Sequence, residues 1–323
     1  MIFRLHSLQS VLEHDFTIKW RMTRDCNLHC SYCVQRHKDT LPADISAQES
    51  VLVRTAERIA SLIERSGKKS VKLELVGGEV TLFNLEEILS RITSPALKRV
   101  QVTSNFMRGA DYYAALGDYL SSRGVEFSLT ASFHSEGQGL DDYIYKAERV
   151  KGHTTWFTCQ MVSSVGNQPL VMQFKEMCDA KKLAYHIDAD IRSERYMQRK
   201  DMRLYTAASR VTGKPRYIAT LKDADGNLFE REYQTRNSFI TDGTVYENSL
   251  FKAIRTKGYV CTVGWDYVYI EFDRVASRTA ENADCTQRMV IEDFVPVPPA
   301  PCLFGSCTLC GQMSLLPKTK VEV

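Results

Sequence analysis

The stretch Asp15-Phe-Thr-Ile-Lys-Trp20 runs through Arg21-Met-Thr-Arg-Asp25 into Cys26-Asn-Leu-His-Cys30-Ser-Tyr-Cys33, a strand pattern that delivers three thiols onto one short loop. Outward from it, strand and helix signals alternate. Leu52, Ala56, Ile59, Ala60 and Ile63 share one helical face after Ser46-x-x-Glu49, which reads as a capping box. Val71 to Val76 is a strand that runs into Gly77-Gly78-Glu79, and Asn84-x-x-Glu87 caps a helix carrying Leu85, Ile88, Leu89 and Ile92. Strands over Val100 to Ser104, Phe127 to Ser132, Thr155 to Val162 and Leu183 to Ala189 alternate with helices over Tyr112 to Ser122, Asp141 to Val150 and Pro169 to about Lys181. Such repetition predicts an α/β fold with a parallel sheet. Closed part-way into a TIM-type (β/α)6 barrel, it would carry its chemistry on the loops after the strand C-termini. The expected organisation is a partial barrel over residues 1–192, a basic linker and hairpin insert over 193–258, and a small cysteine-rich domain over 259–323.

The chain has 42 basic and 39 acidic side chains, a formal charge of +3 that is too near balance to make the whole molecule a polyanion binder. No apolar run approaches the roughly 18 residues of a membrane span. Met1 to Ser10 has no secretory pattern, so a cytoplasmic location is expected. Stable disulfides are disfavoured there, and the ten cysteines are therefore read as metal ligands or redox groups where they cluster. Cys159 and Cys178 stand alone and read as core residues.

Three thiolates spaced as in Cys26-x3-Cys30-x2-Cys33 can each hold one iron of a [4Fe–4S] cubane and leave the fourth iron open to a small chelating ligand. The alternative is zinc, which would need a fourth ligand such as His29. Gly77-Gly78-Glu79 lets backbone approach closely at a strand end and adds a carboxylate able to accept charge-assisted hydrogen bonds.

The cysteine loop with aromatic Tyr32 before its last cysteine, followed by Gly77-Gly78-Glu79, resembles the radical SAM superfamily over roughly residues 14 to 192. The resemblance implies an open iron that binds S-adenosylmethionine, whose reductive cleavage yields a 5′-deoxyadenosyl radical. Carried over by position, Tyr32 would lie against the adenine, Glu79 would receive the methionine ammonium with Gly77 and Gly78 letting backbone approach the cofactor, and Ser132 and Asn105 would contact the ribose or carboxylate. Val80 stands where related motifs usually have proline, and Ser132-Phe-His134-Ser where they often read Ser-x-Asp-Gly. His134, Asp188 and Asp190 are the candidate bases. A reducing partner such as flavodoxin or ferredoxin is implied.

The tail from Gly258 resembles the SPASM and twitch extensions, which implies an auxiliary [4Fe–4S] cluster held by four of Cys261, Cys285, Cys302, Cys307 and Cys310. A zinc ribbon is the alternative for the tail. A fully ligated cluster would accept an electron, which favours two-electron oxidation. Arg192 to Arg216 holds eight basic and two acidic residues, a pattern suited to an anionic sugar- or nucleotide-like substrate. A ribosomal peptide is the alternative substrate, and a non-catalytic zinc protein the alternative class. No RNA-binding motif supports a nucleic-acid partner.

Overall fold

The computed structural model describes residues 4–11, 14–33, 45–163, 166–189, 216–222, 228–234, 260–261, 263–276, 288–297 and 300–301. β1 (Arg4–Val11) precedes β2 (Phe16–Thr23). Then α1 (Ile45–Ser66), β3 (Val71–Gly77), α2 (Leu85–Ser90), β4 (Leu97–Ser104), α3 (Ala110–Ser122), β5 (Glu126–Phe133), α4 (Leu140–Val150), β6 (Trp156–Ser163), α5 (Gln168–Ala180) and β7 (Tyr185–Ala189) follow in strict alternation. β2 through β7 lie side by side in chain order and all pair in parallel. This is the expected α/β architecture, a partial TIM-type barrel whose sheet is not closed.

The alternation along each strand explains the layering. On β2, Phe16, Ile18, Trp20 and Met22 are buried in the main apolar core with Leu52, Ala56, Ile59 and Ile63 of α1, and the same core takes Val71, Leu73 and Leu75 of β3. Each such side chain contributes about 1.5–3 kcal/mol, so this helix-covered face is where the sheet gains its stability. The opposite face is polar: Thr17, Lys19 and Arg21 on β2, Lys72 and Glu74 on β3 and Gln101 on β4 are half-buried.

The expected hairpin of the insert is present, and two features go beyond the sequence reading: the pairing of β1 with that hairpin and the extension of the main sheet past β2. β1 joins β8 (Arg216–Lys222) and β9 (Leu228–Gln234) in a separate antiparallel sheet, with Lys222 opposite Leu228 as a hairpin requires. The main sheet also continues past β2. After β10 (Val260–Cys261), β11 (Tyr267–Glu271) pairs in parallel with β2, and β12 (Arg274–Ala276) and β13 (Arg288–Val290) extend it to nine strands. β14 (Ala300–Pro301) pairs with β10.

One capping expectation is corrected. α1 begins at Ile45, so Ser46 lies inside the first turn and does not cap it; Glu49 instead accepts the backbone N–H of Asn84 at 2.5 Å, reaching from α1 to the start of α2. The Asn84 cap is present, its side chain accepting from Glu87 N at 3.3 Å, and Pro169 sits in the first turn of α5. Cys159 and Cys178 are both fully buried in the core.

Candidate active site

The cysteine loop leaves the C-terminal end of β2, and its base is welded to the end of β3 by backbone. Gly78 N donates to Thr23 O at 3.0 Å and Glu79 N to Asp25 O at 2.7 Å. This approach is why both glycines are needed: a Cβ on Gly77 would meet Thr23 O at 2.5 Å, and one on Gly78 would meet Asp25 O at 1.9 Å. Asp25 in turn accepts from Thr23 Oγ1 at 2.7 Å and from Gln48 Nε2 at 2.9 Å, which holds the loop's entry in a closed turn.

Glu79 is 1% exposed, and its carboxylate is fully engaged by protein. Oε1 accepts from Thr81 N (2.9 Å), Thr81 Oγ1 (2.7 Å) and Ser104 Oγ (2.9 Å), and Oε2 accepts from Asn105 N (2.5 Å). Burial pushes its carboxyl above the usual range, and these donors pull it part of the way back. Glu79 thereby fixes the end of β4. Asn105, placed by that contact, donates from Nδ2 to Asn27 Oδ1 at 2.6 Å and lies 3.9 Å from Cys26 Sγ.

The loop after β5 holds the other side. Nδ1 of His134 shares a 2.7 Å hydrogen bond with the Tyr32 hydroxyl and lies 3.4 Å from Cys30 Sγ, and the two rings stack at 5.8 Å. Burial, reinforced by Cys30, raises the Tyr32 phenol well above its ordinary value. Glu136 accepts from Ser31 N at 3.1 Å and from Ser31 Oγ at 2.8 Å. Cys26 and Cys30 are buried with Leu28 in a small apolar cluster, against which Tyr32, Cys33 and Met107 pack.

The structure thus brings together Cys26, Cys30, Cys33, Tyr32, Gly77, Gly78, Glu79, Asn105 and His134. Ser132 is half-buried near the end of β5, level with Gln160 of β6. Asp188 falls on β7 opposite Val162. Cys261 falls on β10 opposite Ala300. Asp190, Cys285, Cys302, Cys307, Cys310 and the basic stretch 192–215 lie outside the described residues. Sequence reasoning missed Glu136, Gln48 and Gln138, whose Nε2 donates to Asn105 O at 3.0 Å. No spacing signal marks these residues, because Gln48 reaches the site from α1 and Glu136 and Gln138 from the loop after β5, both far in sequence from the cysteines.

The donor set suits a cluster. None of Cys26, Cys30 and Cys33 is in a disulfide, and they sit among apolar side chains. A cubane gives each thiolate its own iron and takes them spread out.

An open parallel α/β sheet bearing a triple-cysteine loop at the end of its first barrel strand defines a barrel scaffold with a candidate cluster site. The Radical SAM superfamily model matches residues 20–156, which reach from Trp20 in β2 to Trp156 in β6 and contain every hydrogen bond described above around the cysteine loop. That match supports a radical SAM superfamily domain in this chain. Among solved structures, the chain is similar to anSMEcpe with bound AdoMet, at 14% identity over 60% of this chain and 56% of that one, TM-score 0.42. It is also similar to coproporphyrinogen III oxidase (HemN) from Escherichia coli, described as a radical SAM enzyme, at 12% identity over 54% and 43%, TM-score 0.41. A third is Streptococcus suis SuiB bound to precursor peptide SuiA, at 16% identity over 54% and 40%, TM-score 0.40. The chain spans about half the length of the first of these, and likenesses so distant add nothing to the family-model match over residues 20–156. No curated protein matches the chain.

Proposed function

We propose that the protein is a radical SAM enzyme that oxidises a small anionic substrate by two electrons. The observation that carries the enzyme reading is the triple-cysteine loop, fixed from β3 through Gly78 and Glu79, from β4 through Asn105 and from the loop after β5 through His134. Cys26, Cys30 and Cys33 would hold a [4Fe–4S] cluster, which with S-adenosylmethionine supplies a 5′-deoxyadenosyl radical when bound. The chain's own residues prepare the place. Leu28, Tyr32 and Met107 keep the thiols in apolar surroundings, and Asn105 and His134 direct polar groups at Cys26 and Cys30. The Glu79 carboxylate acts as the brace that sets Asn105, with the Gly77–Gly78 backbone at the same mouth.

The finer reading rests on the tail. A substrate that has lost a hydrogen atom must lose a proton and an electron to become an oxidised product. Cys261, Cys285, Cys302, Cys307 and Cys310 are the residues that would supply four ligands to an auxiliary [4Fe–4S] cluster, whose chemistry there is to accept one electron. Asp188 is the base we favour, because His134 is already engaged with Tyr32 and Cys30. A reduced flavodoxin or ferredoxin is the proposed electron donor.

The test is anaerobic iron and sulfide content together with 5′-deoxyadenosine formation from S-adenosylmethionine and a strong reductant. About eight irons are expected in the wild type and about four in the Cys26→Ala/Cys30→Ala/Cys33→Ala variant, with cleavage abolished. About four irons in the wild type would remove the auxiliary cluster and the oxidation argument with it. A wild type that binds zinc and cleaves nothing would overturn the whole reading.

A further inference from the structure

On the polar face of the sheet, below the cysteine loop, two ammonium groups among the described residues share one carboxylate. Lys19 of β2 lies opposite Glu74 of β3 on one side and Tyr269 of β11 on the other. Its neighbours Ile18 and Trp20 point into the helix-covered core, so Lys19 points to the polar face. Glu74 is shared: its Oε1 lies 2.6 Å from Lys72 Nζ, and its charge also acts on Lys19. Among the described residues no hydrogen bond or ion pair reaches the Lys19 ammonium. Burial pushes that ammonium down from its ordinary value, and Glu74 only partly restores it.

The row above carries the same sign. Arg21, two residues nearer the mouth, shares Glu271 with Arg24 and Arg288, at 3.1, 3.3 and 2.8 Å. Among the described residues, Lys19 and Lys72 thus share Glu74, and Arg21, Arg24 and Arg288 share Glu271. A partly desolvated cation that shares its carboxylate with a second cation gains from anything anionic that completes it. Lys19 is four residues before Thr23, where the cysteine loop is anchored, which places it about 13 Å below the strand end. That is the span of a small molecule reaching from the mouth into the barrel.

We propose that Lys19 anchors the oxyanion, phosphate or carboxylate, of a small substrate whose reacting carbon lies at the cysteine-loop end of the sheet. The proposal rests on the radical SAM reading for the position of the reacting carbon, and on the polar face alone for the anion. Lys19 supplies the charge-assisted hydrogen bond, Arg21 adds field from the row above, and Glu74 opposes the anion and so weakens its hold.

The experiment is calorimetric titration of the full, cluster-loaded chain with inorganic phosphate and, separately, with acetate, each against chloride at matched ionic strength. Binding of at least one of the two is expected, and the stronger of them identifies the oxyanion. Lys19→Met is expected to weaken it about 10- to 100-fold, the loss of one hydrogen bond to a charged group, while Lys19→Arg retains it within about threefold. Glu74→Gln, which keeps the shape and removes the opposing charge, is expected to tighten it severalfold; this arm stands even where Lys19→Met fails to fold. Binding of neither anion by the wild type, equal affinity in Lys19→Met, or unchanged affinity in Glu74→Gln would overturn the proposal. Cleavage of S-adenosylmethionine by the wild type is scored separately. Its presence without anion binding overturns only the Lys19 site, and its absence overturns the enzyme reading while leaving the anion result to stand on its own.

Discussion

Gly78 and Glu79 are both held by close protein contacts at the base of the cysteine loop. The space where a Gly78 Cβ would sit is occupied by the Asp25 carbonyl, so Gly78→Ala forces β3 away from the base of the cysteine loop. A loss of about 1–3 kcal/mol is expected by denaturant unfolding, together with reduced iron uptake. Gly152→Ala is the control, because nothing lies within 4 Å of its Cβ position, and it is expected to stay within about 0.5 kcal/mol of the wild type. Glu79→Gln retains the shape but turns an amide N–H₂ toward one set of buried donors. It is expected to cost about 1–3 kcal/mol and to release Asn105 from Cys26, read as lower stability and a changed visible spectrum of the loaded protein.

At the scale of elements, β11 is tied to β2 by more than its ladder. Trp20 Nε1 donates to Phe272 O at 2.8 Å across the core edge, and Glu271 gathers three arginines, one of them beside the cysteine loop. Partial burial pushes the Glu271 carboxyl up, but Arg288, Arg24 and Arg21 outweigh it and hold the group below its ordinary value. A carboxyl so lowered stabilises the fold above the ordinary carboxylate range and loses that contribution as pH falls through its own depressed value. Glu271→Gln is therefore expected to melt lower than the wild type at neutral pH by an amount worth about 1 kcal/mol, since its partners are solvent-accessible. The gap should close on acidification and shrink in high salt; a gap independent of pH would refute the electrostatic account. The barrel elements themselves were readable in advance, because β2 to β7 and α1 to α5 carry periods of two and 3.6 with turn residues between them. The start of α1 was misread at Ser46 because a capping-box spacing is short enough to arise inside a first turn.

For the whole molecule, the nine-stranded sheet decides what can be cut away. Removing residues 259–323 would strip β2 of its parallel neighbour, expose a row of unpaired backbone groups beside Trp20, and remove Ile291 and Phe294 from the core. That truncated chain is expected to aggregate or to lose its cooperative melt, checked by gel filtration and circular dichroism. A folded, monodisperse fragment would show that the tail is a separable module. No helix among the described residues is long and apolar enough to cross a membrane.

Sequence by itself determined the parallel alternation, the three thiols on one loop and the Gly-Gly-Glu turn, because these are local: periodicity, spacing and residue type encode them within a few residues. Only the tertiary structure decided that Glu79 is a brace rather than an open carboxylate, that His134 faces Tyr32 and Cys30, and that β11 completes the edge of β2. It alone also placed Lys19 facing a glutamate that it shares with Lys72. Each of these depends on which distant segments meet, and that is settled by burial and hydrogen-bond satisfaction over the whole core rather than by any stretch of chain read alone.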